Sequence, residues 1–304
     1  MLGKSVLKRL LGYQPPPRNL VGTEALYRDW TFQPSRAGVL SRLERARARR
    51  HLIVAPPSAT LVAVEPRKRW TLYFIYAPQG VLSAAHRFSL QRLRTSDTAL
   101  AVVCASPSIE TVPAELLDDT DALFWKGLSG FDFSAYAIGL HALASYSPGA
   151  DILVMNDSVF GPFEPLDDLF KRCLWDLTGF TASGDIENHL QSYALMLRNW
   201  TPQKAAALRD VAPCTRAFDD YRAVVFCQET LLARAAVRTM SVGALWYADN
   251  RRCSDATIFA ALPLLDAGFP FLKRSLLTKH AEFNDINDVH TALRARTHPV
   301  DNVL

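Results

Sequence analysis

The sequence predicts an α/β protein, a mostly parallel sheet flanked by helices, preceded by an N-terminal helical or irregular extension. Three observations predict it. Short apolar runs rich in branched and aromatic residues recur at Trp70–Tyr76, Thr98–Ala105, Asp121–Lys126 and Ala150–Asn156. Helical-period segments lie between them, over Ala84–Leu93 and through Ala135, Ile138, Leu140 and Leu143. The runs close on turn or small polar residues, as in Ala77-Pro78-Gln79-Gly80, Ser106-Pro107-Ser108 and Asn156-Asp157-Ser158. Strands alternating with helices favour parallel pairing, with the helices covering the sheet faces.

The bulk numbers bound the protein further. A chain of 304 residues can bury a substantial core, as one large α/β domain or two small ones. Hydrophobic content of 49% and charged content of 21% are globular values. A net charge of +4 falls short of the basic excess of a dedicated nucleic-acid binder, so no nucleic-acid partner is expected. Five scattered cysteines without a CxxC pair suggest neither a disulfide framework nor a zinc site, which fits a reducing compartment. No apolar run approaches bilayer length. The opening Met1–Leu10 is charged too early and too often for a signal-peptide core, so a cytoplasmic location is expected.

Along the chain, Leu2, Val6, Leu7 and Leu10 can share one helical face beside Lys4, Lys8 and Arg9. After Pro15-Pro16-Pro17 a second basic segment covers Ser41–Arg50. Such segments suit peripheral contact with an anionic inner-membrane surface, and equally suit a solvated helical extension. The expected division is a basic extension over 1–66, the α/β domain over 67–285 and a polar, frayed tail over 286–304. Within the domain, Phe163, Leu166, Phe170, Cys173 and Leu174 recur at helical spacing after Pro162. Glu164 stands in that helix's first turn and Lys171 and Arg172 in its last, each suited to the macrodipole. Leu177–Thr181 and His189–Leu197 read as extended. A helical hairpin is expected across 201–240, its second half opening at Cys227-Gln228-Glu229. Leu262–Leu277 is apolar and broken by Gly268 and Pro270.

Asp157 is the first residue with a functional reading. In open α/β sheets ligands sit beyond the carboxyl ends of the strands, and Asp157 ends the Ala150–Asn156 run. The competing reading is that Asn156, Asp157 and Ser158 only cap the next helix.

Five blocks in order resemble the rhamnan synthesis F family of bacterial cell-surface polysaccharide glycosyltransferases. They are Leu72–Leu82, the Gly130-Phe131-Asp132-Phe133-Ser134-Ala135-Tyr136 block, Asn156–Pro162, His189-Leu190-Gln191-Ser192-Tyr193, and Pro270–Leu277 with Lys273. The resemblance covers roughly residues 70–280. The chain departs from the family pattern at Lys126, Leu128, Ser134 and Asp176, which bears on the donor sugar more than on the reaction class.

The resemblance implies a GT-A-like fold, a nucleotide-sugar donor, and a saccharide acceptor linked to a lipid carrier. It places Tyr76, Lys126, Asp132, Asn156, Asp157, Ser158 and Lys273 around the donor, and Gln191 and Ser192 near the acceptor. Asp157 would lie near the diphosphate, where such folds often carry a divalent cation (Mg or Mn); one carboxylate makes a poor cage for it. An inverting transfer needs a base for the acceptor hydroxyl. Glu229, late in the fold, is the first candidate, although a Glu in a first helical turn is favoured by the dipole alone. His189 is the second, against the reading of a structural histidine on a strand. Lys273, then Arg274, would offset the leaving diphosphate, against a solvated basic face. The expected function is transfer of rhamnose or a related sugar to a polysaccharide such as O-antigen or rhamnan. The alternative is a non-catalytic sugar-nucleotide binder or scaffold of an assembly complex. A phosphohydrolase ranks lower, since the first strand carries no acid placed for phosphoryl transfer.

Overall fold

The computed structural model describes residues 21–94, 97–249 and 253–300. The basic segment Met1–Leu10 and Pro15–Pro17 lie outside the described residues. Fourteen strands are formed among the described residues: β1 (Tyr27–Thr31), β2 (Leu52–Val54), β3 (Ser58–Val62), β4 (Arg69–Tyr76), β5 (Ala99–Ala105), β6 (Ala122–Lys126), β7 (Ala150–Asn156), β8 (Val159–Phe160), β9 (Leu177–Ser183), β10 (His189–Leu190), β11 (Ala194–Trp200), β12 (Arg216–Phe218), β13 (Val242–Ala248) and β14 (Leu272–Lys273). The helices that matter below are α1 (Val39–Ala48), α2 (Ala84–Leu93), α3 (Phe131–Tyr146), α4 (Thr230–Ala236) and α5 (Ile286–Arg294).

Ten strands make one sheet in the order β1-β13-β9-β11-β7-β4-β5-β6-β3, with β10 on β9. The run β7-β4-β5-β6 is parallel, as is β13-β9; β1, β3, β10 and β11 join antiparallel. The chain steps outward from β4 through β5 to β6, then returns to the other side of β4 as β7. That reversal opens a crevice beyond the carboxyl ends of β4 and β7, where ligands of open α/β sheets bind.

The central strands are buried on both faces, which is why they read as unbroken apolar runs. Successive side chains alternate between two cores. Leu72, Phe74, Val103 and Val154 meet α3 on one face, and Tyr73, Ile75, Val102 and Leu153 meet α2 on the other. Gly139 is required where α3 crosses β4: a Cβ there would sit 2.4 Å from a Leu72 methyl. The Ser83 hydroxyl caps α2 by accepting from His86 N (3.2 Å), and Ser83 N donates to His86 Nδ1 (3.2 Å).

Several expectations need correction. The helix expected over 163–174 is confined to Leu166–Lys171. The extended stretch from His189 to Leu197 is broken at 191–193, so β10 pairs β9 while β11 turns to pair β7 and β9. The hairpin over 201–240 is interrupted by β12, which pairs β2 from far up the chain. Its second half opens at Tyr221, where the Asp220 side chain accepts from Ala223 N, rather than at Cys227. Glu229 therefore ends a π turn, Val225–Glu229, and does not stand in a first helical turn. Residues 262–277 become a short helix, β14 and a 3-10 turn. Of the tail expected to fray, Ile286–Arg294 forms α5, capped by Asp285, with Val289 and Leu293 fully buried. Residues 21–66 supply β1 and β3, the two edge strands of the sheet. Segment 41–50 lies in α1 and the turn after it; α1 faces inward with Ser41, Arg45 and Ala48 and outward with Val39, Leu40 and Leu43.

Candidate functional site

At the switch point lies a cleft of about 1020 Å³. Its lining includes Tyr76, Asp132, Asn156, Asp157, Ser158, Gln191, Ser192, Glu229 and Lys273. Nine of the candidates, drawn from segments up to 197 residues apart (76 to 273), thus share one cavity. Lys126 and His189 do not reach it. Lys126 is fully buried behind Phe74, its ammonium 5.4 Å from that ring and donating to Ser129 O (2.8 Å). Burial pushes it down to about 8, against the pull of Asp132 and Asp219. His189 is buried with Nδ1 2.7 Å from Glu187 O, and burial lowers its pKa. The expected roles of Lys126 as a phosphate counter-charge and His189 as a base lose their geometric basis, because neither side chain lines the cleft.

Asp157 follows β7 and is fixed from three sides. Its backbone N donates to Phe74 O (3.1 Å), which anchors it to β4. Its Oδ2 accepts from Tyr76 N (3.0 Å) and contacts His86 Nε2 (3.0 Å), with Arg274 Nη1 at 3.9 Å. Since Ser83 N donates to Nδ1, the protonated nitrogen of a neutral His86 is Nε2, which donates to Asp157. Sequence reasoning missed His86. The Ser83-x-x-His86 spacing marks a capping box, yet nothing local says that the ring's far side meets Asp157.

Beside it, Asn156 Oδ1 accepts from Ser158 N (3.1 Å) and Ser158 Oγ (2.5 Å), while its amide donates to Asp132 Oδ2 (2.8 Å). Asp132 Oδ1 accepts from Phe133 N (3.0 Å). Burial, then the field of Glu229, raises the Asp132 carboxyl to about 6. Across the cleft, Glu229 Oε2 accepts from Ser192 N (2.9 Å) and Ser192 Oγ (2.5 Å), which leaves Oε1 unengaged among the described residues. Gln191 Oε1 accepts from Thr181 Oγ1 (2.6 Å), which fixes the turn that carries Ser192.

The remaining wall is cationic. β14 pairs β8 with Lys273 opposite Val159, which sets Lys273 and Arg274 beside the Asp157 turn. Arg274 N donates to Ser158 O (2.9 Å) and Arg274 Nη1 to Asp157 O (3.2 Å). The Lys273 ammonium lies 4.3 Å from the Tyr193 ring centre, and burial lowers its pKa against the fields of Asp255 and Glu229. Lys279 sits 4.9 Å over the ring of Tyr221 at the cleft mouth. Asp219, Tyr221, Asp255 and Lys279 all line the cleft and were not singled out from sequence.

A cation at Asp157 does not fit this donor set. Its Oδ2 faces a backbone N–H, an imidazole N–H and a guanidinium, which leaves one oxygen of a single carboxylate where a cation needs several oxygen ligands. Among the described residues no group of three or more His, Cys, Asp or Glu side chains is gathered to hold a metal ion.

The family model of rhamnan synthesis protein F matches residues 100–303. The chain belongs to this family. An α/β sheet flanked by helices is the arrangement that the resemblance to the rhamnan synthesis F family implied. No match to a curated protein is found. Among solved structures, the chain is similar to TarS of S. aureus (11% identity over 64% of this chain and 38% of that one, TM-score 0.36). It is also similar to the glycosyltransferase GlyE of Streptococcus pneumoniae TIGR4 (17%, 44% and 34%, TM-score 0.28). A third is a Desulfovibrio desulfuricans G20 protein assigned as a nucleotide-diphospho-sugar transferase (14%, 67% and 97%, TM-score 0.33). The chain spans little more than a third of the first two structures. Likeness at this level says nothing of activity.

Proposed function

We propose that this protein is a glycosyltransferase of cell-surface polysaccharide assembly, moving rhamnose or a related sugar from a nucleotide-sugar donor. Membership of the rhamnan synthesis protein F family supports the reaction class. The observation that carries the reading is the cleft itself, whose lining brings Glu229, Asp157, Lys273 and Arg274 together.

In this reading Tyr76, Asp132, Asn156, Asp157 and Ser158 hold the donor. Gln191 and Ser192 shape the acceptor side. The acceptor hydroxyl oxygen attacks the anomeric carbon as its bond to the diphosphate breaks. Glu229, with Ser192 holding Oε2, takes the hydroxyl proton on Oε1, and the configuration inverts. The nucleoside diphosphate departs toward Lys273 and Arg274, whose charge stabilises it. No step passes through a metal ion, because the Asp157 surroundings do not fit one.

The acceptor is proposed to grow on a lipid carrier at the cytoplasmic face of the inner membrane. Outward on α1, Val39, Leu40 and Leu43 are exposed beside Arg42 and Arg47, with Arg49 and Arg50 following, a composition suited to an anionic surface. Among the described residues, no helix is long and apolar enough to cross a membrane. The deciding experiment assays purified protein for transfer and donor hydrolysis against a panel of nucleoside diphosphate sugars that includes rhamnosyl donors. Glu229→Gln should abolish transfer and retain nucleotide binding. Binding without turnover across the panel in the wild-type protein would instead favour the non-catalytic reading.

A further inference from the structure

Arg45 belongs to the basic segment 41–50 that sequence reasoning assigned to a membrane surface or to solvent. Its side chain points the other way. Arg45 Nε donates to Phe226 O (2.8 Å) and Nη2 to Thr230 Oγ1 (3.0 Å). Phe226 lies inside the π turn that ends at Glu229, and Thr230 follows it directly. Thr230 Oγ1 in turn donates to Phe226 O (3.0 Å), so one guanidinium and one hydroxyl close on the same carbonyl.

The guanidinium is itself held. It pairs with Glu187, whose side chain is fully buried, and Glu187 pairs with Arg234 Nη2 of α4 (2.9 Å). Arg234 also donates to Ser35 O, just before α1. A carboxylate with no exposure is tolerated only when paired, so Glu187 fixes both arginines in place. π turns are uncommon and occur often at functional sites. Here the turn sets the direction in which Glu229 meets Ser192.

We propose that Arg45 is a positioning residue for the transfer reaction: it braces the π turn so that Glu229 stays in register with Ser192 and the cleft. This rests on the reading of Glu229 as the base. Segment 21–66 would then carry part of the catalytic geometry as well as the edge strands. Lysine cannot replace arginine here. It can pair with Glu187, yet it lacks the planar fork that reaches Phe226 O and Thr230 Oγ1 together.

The test uses the full chain and two variants, Arg45→Lys and Thr230→Val, the second of which leaves the ion pair with Glu187 intact. With the best donor from the panel, kcat should fall about tenfold or more in Arg45→Lys and less in Thr230→Val, while donor KM stays within about twofold. Hydrogen exchange in peptides covering 222–232 should quicken, with β4 and β7 peptides unchanged. Wild-type kcat in both variants overturns the proposal, as does a rate loss with unchanged exchange or one matched by an equal rise in donor KM. Glu229→Gln is measured in parallel. Wild-type transfer in that variant removes the base reading, while the exchange result still judges the brace separately.

Discussion

The two walls of the cleft are built in different ways. The wall formed by Tyr76, Asn156, Asp157 and Ser158 follows directly from the ends of β4 and β7, and its backbone is pinned by strand pairing. The rest of the lining, with Glu229 on a π turn and Lys273 on a two-residue strand, has little local structure of its own. It is held by groups arriving from elsewhere, namely Ser192, Arg45 and the pairing of β14 with β8. A wall made of strand termini is as rigid as the sheet. A wall made of turns is only as rigid as the long-range contacts that brace it.

Measurement can separate the two walls. The largest effect is expected on the turn wall: Glu229→Gln should lower the transfer rate by about 10²–10⁴-fold, the range for loss of a general base. Nucleotide affinity, read by calorimetry with UDP and dTDP, should stay within about twofold. On the strand wall, Asp157→Asn and His86→Ala should act in the reverse sense, weakening donor binding by about tenfold with a smaller change in kcat. Equal losses of rate and affinity in both sets would erase the distinction between the walls.

Beneath the cationic wall, His298 is buried and packs among Phe88, Phe160 and Phe163. Burial pushes its pKa down to about 4 from the ordinary 6.5. Between those values the unfolded chain binds the proton and the folded chain does not, so stability falls as pH drops from about 6.5 toward 4. The loss attributable to His298 is at most about 3 kcal/mol. Melting curves of His298→Phe should lack that part of the acid slope. An unchanged slope would mean that other groups set it.

The smallest effect is a packing one. Gly139→Ala forces a methyl against Leu72 on β4, and should cost about 1–3 kcal/mol of stability, seen as a lower Tm. Donor and acceptor KM should hardly move at temperatures where the protein is folded. A shift in donor KM larger than the change caused by His86→Ala would show that the strand wall is softer than its pairing suggests.

Much of the strand wall was legible in the residues. The runs that became β4, β5, β6 and β7, and the helix α2, stand within a residue or so of where periodicity and turn chemistry put them. Their information is local: buried parallel strands need continuous apolar residues, and Ser83 and the Asn156-Asp157-Ser158 triplet mark ends that any reader of caps and turns can find. The family resemblance pointed to Glu229 by its late place in the fold and to Lys273 by its block, but not to how they are held. The 201–240 region failed because β12 forms only by pairing with β2, a partner about 160 residues away that no window on the sequence contains. His86 and Arg45 were missed for the same reason, since each gains its meaning from a carboxylate or carbonyl on another element. Lys126 was misplaced because a lysine beside an acid reads the same whether its ammonium faces a cleft or a buried carbonyl.

Residue order alone therefore set the alternation of strands and helices, the two-faced core and the acid at the switch point, since each depends on neighbours within a few residues. Which polar groups meet across the cleft, which cations are sealed beneath it, and which arginine reaches the π turn were settled by the folded arrangement. Hydrogen bonds and ion pairs are short-ranged in space and indifferent to separation along the chain, so they come into being only once the chain has folded.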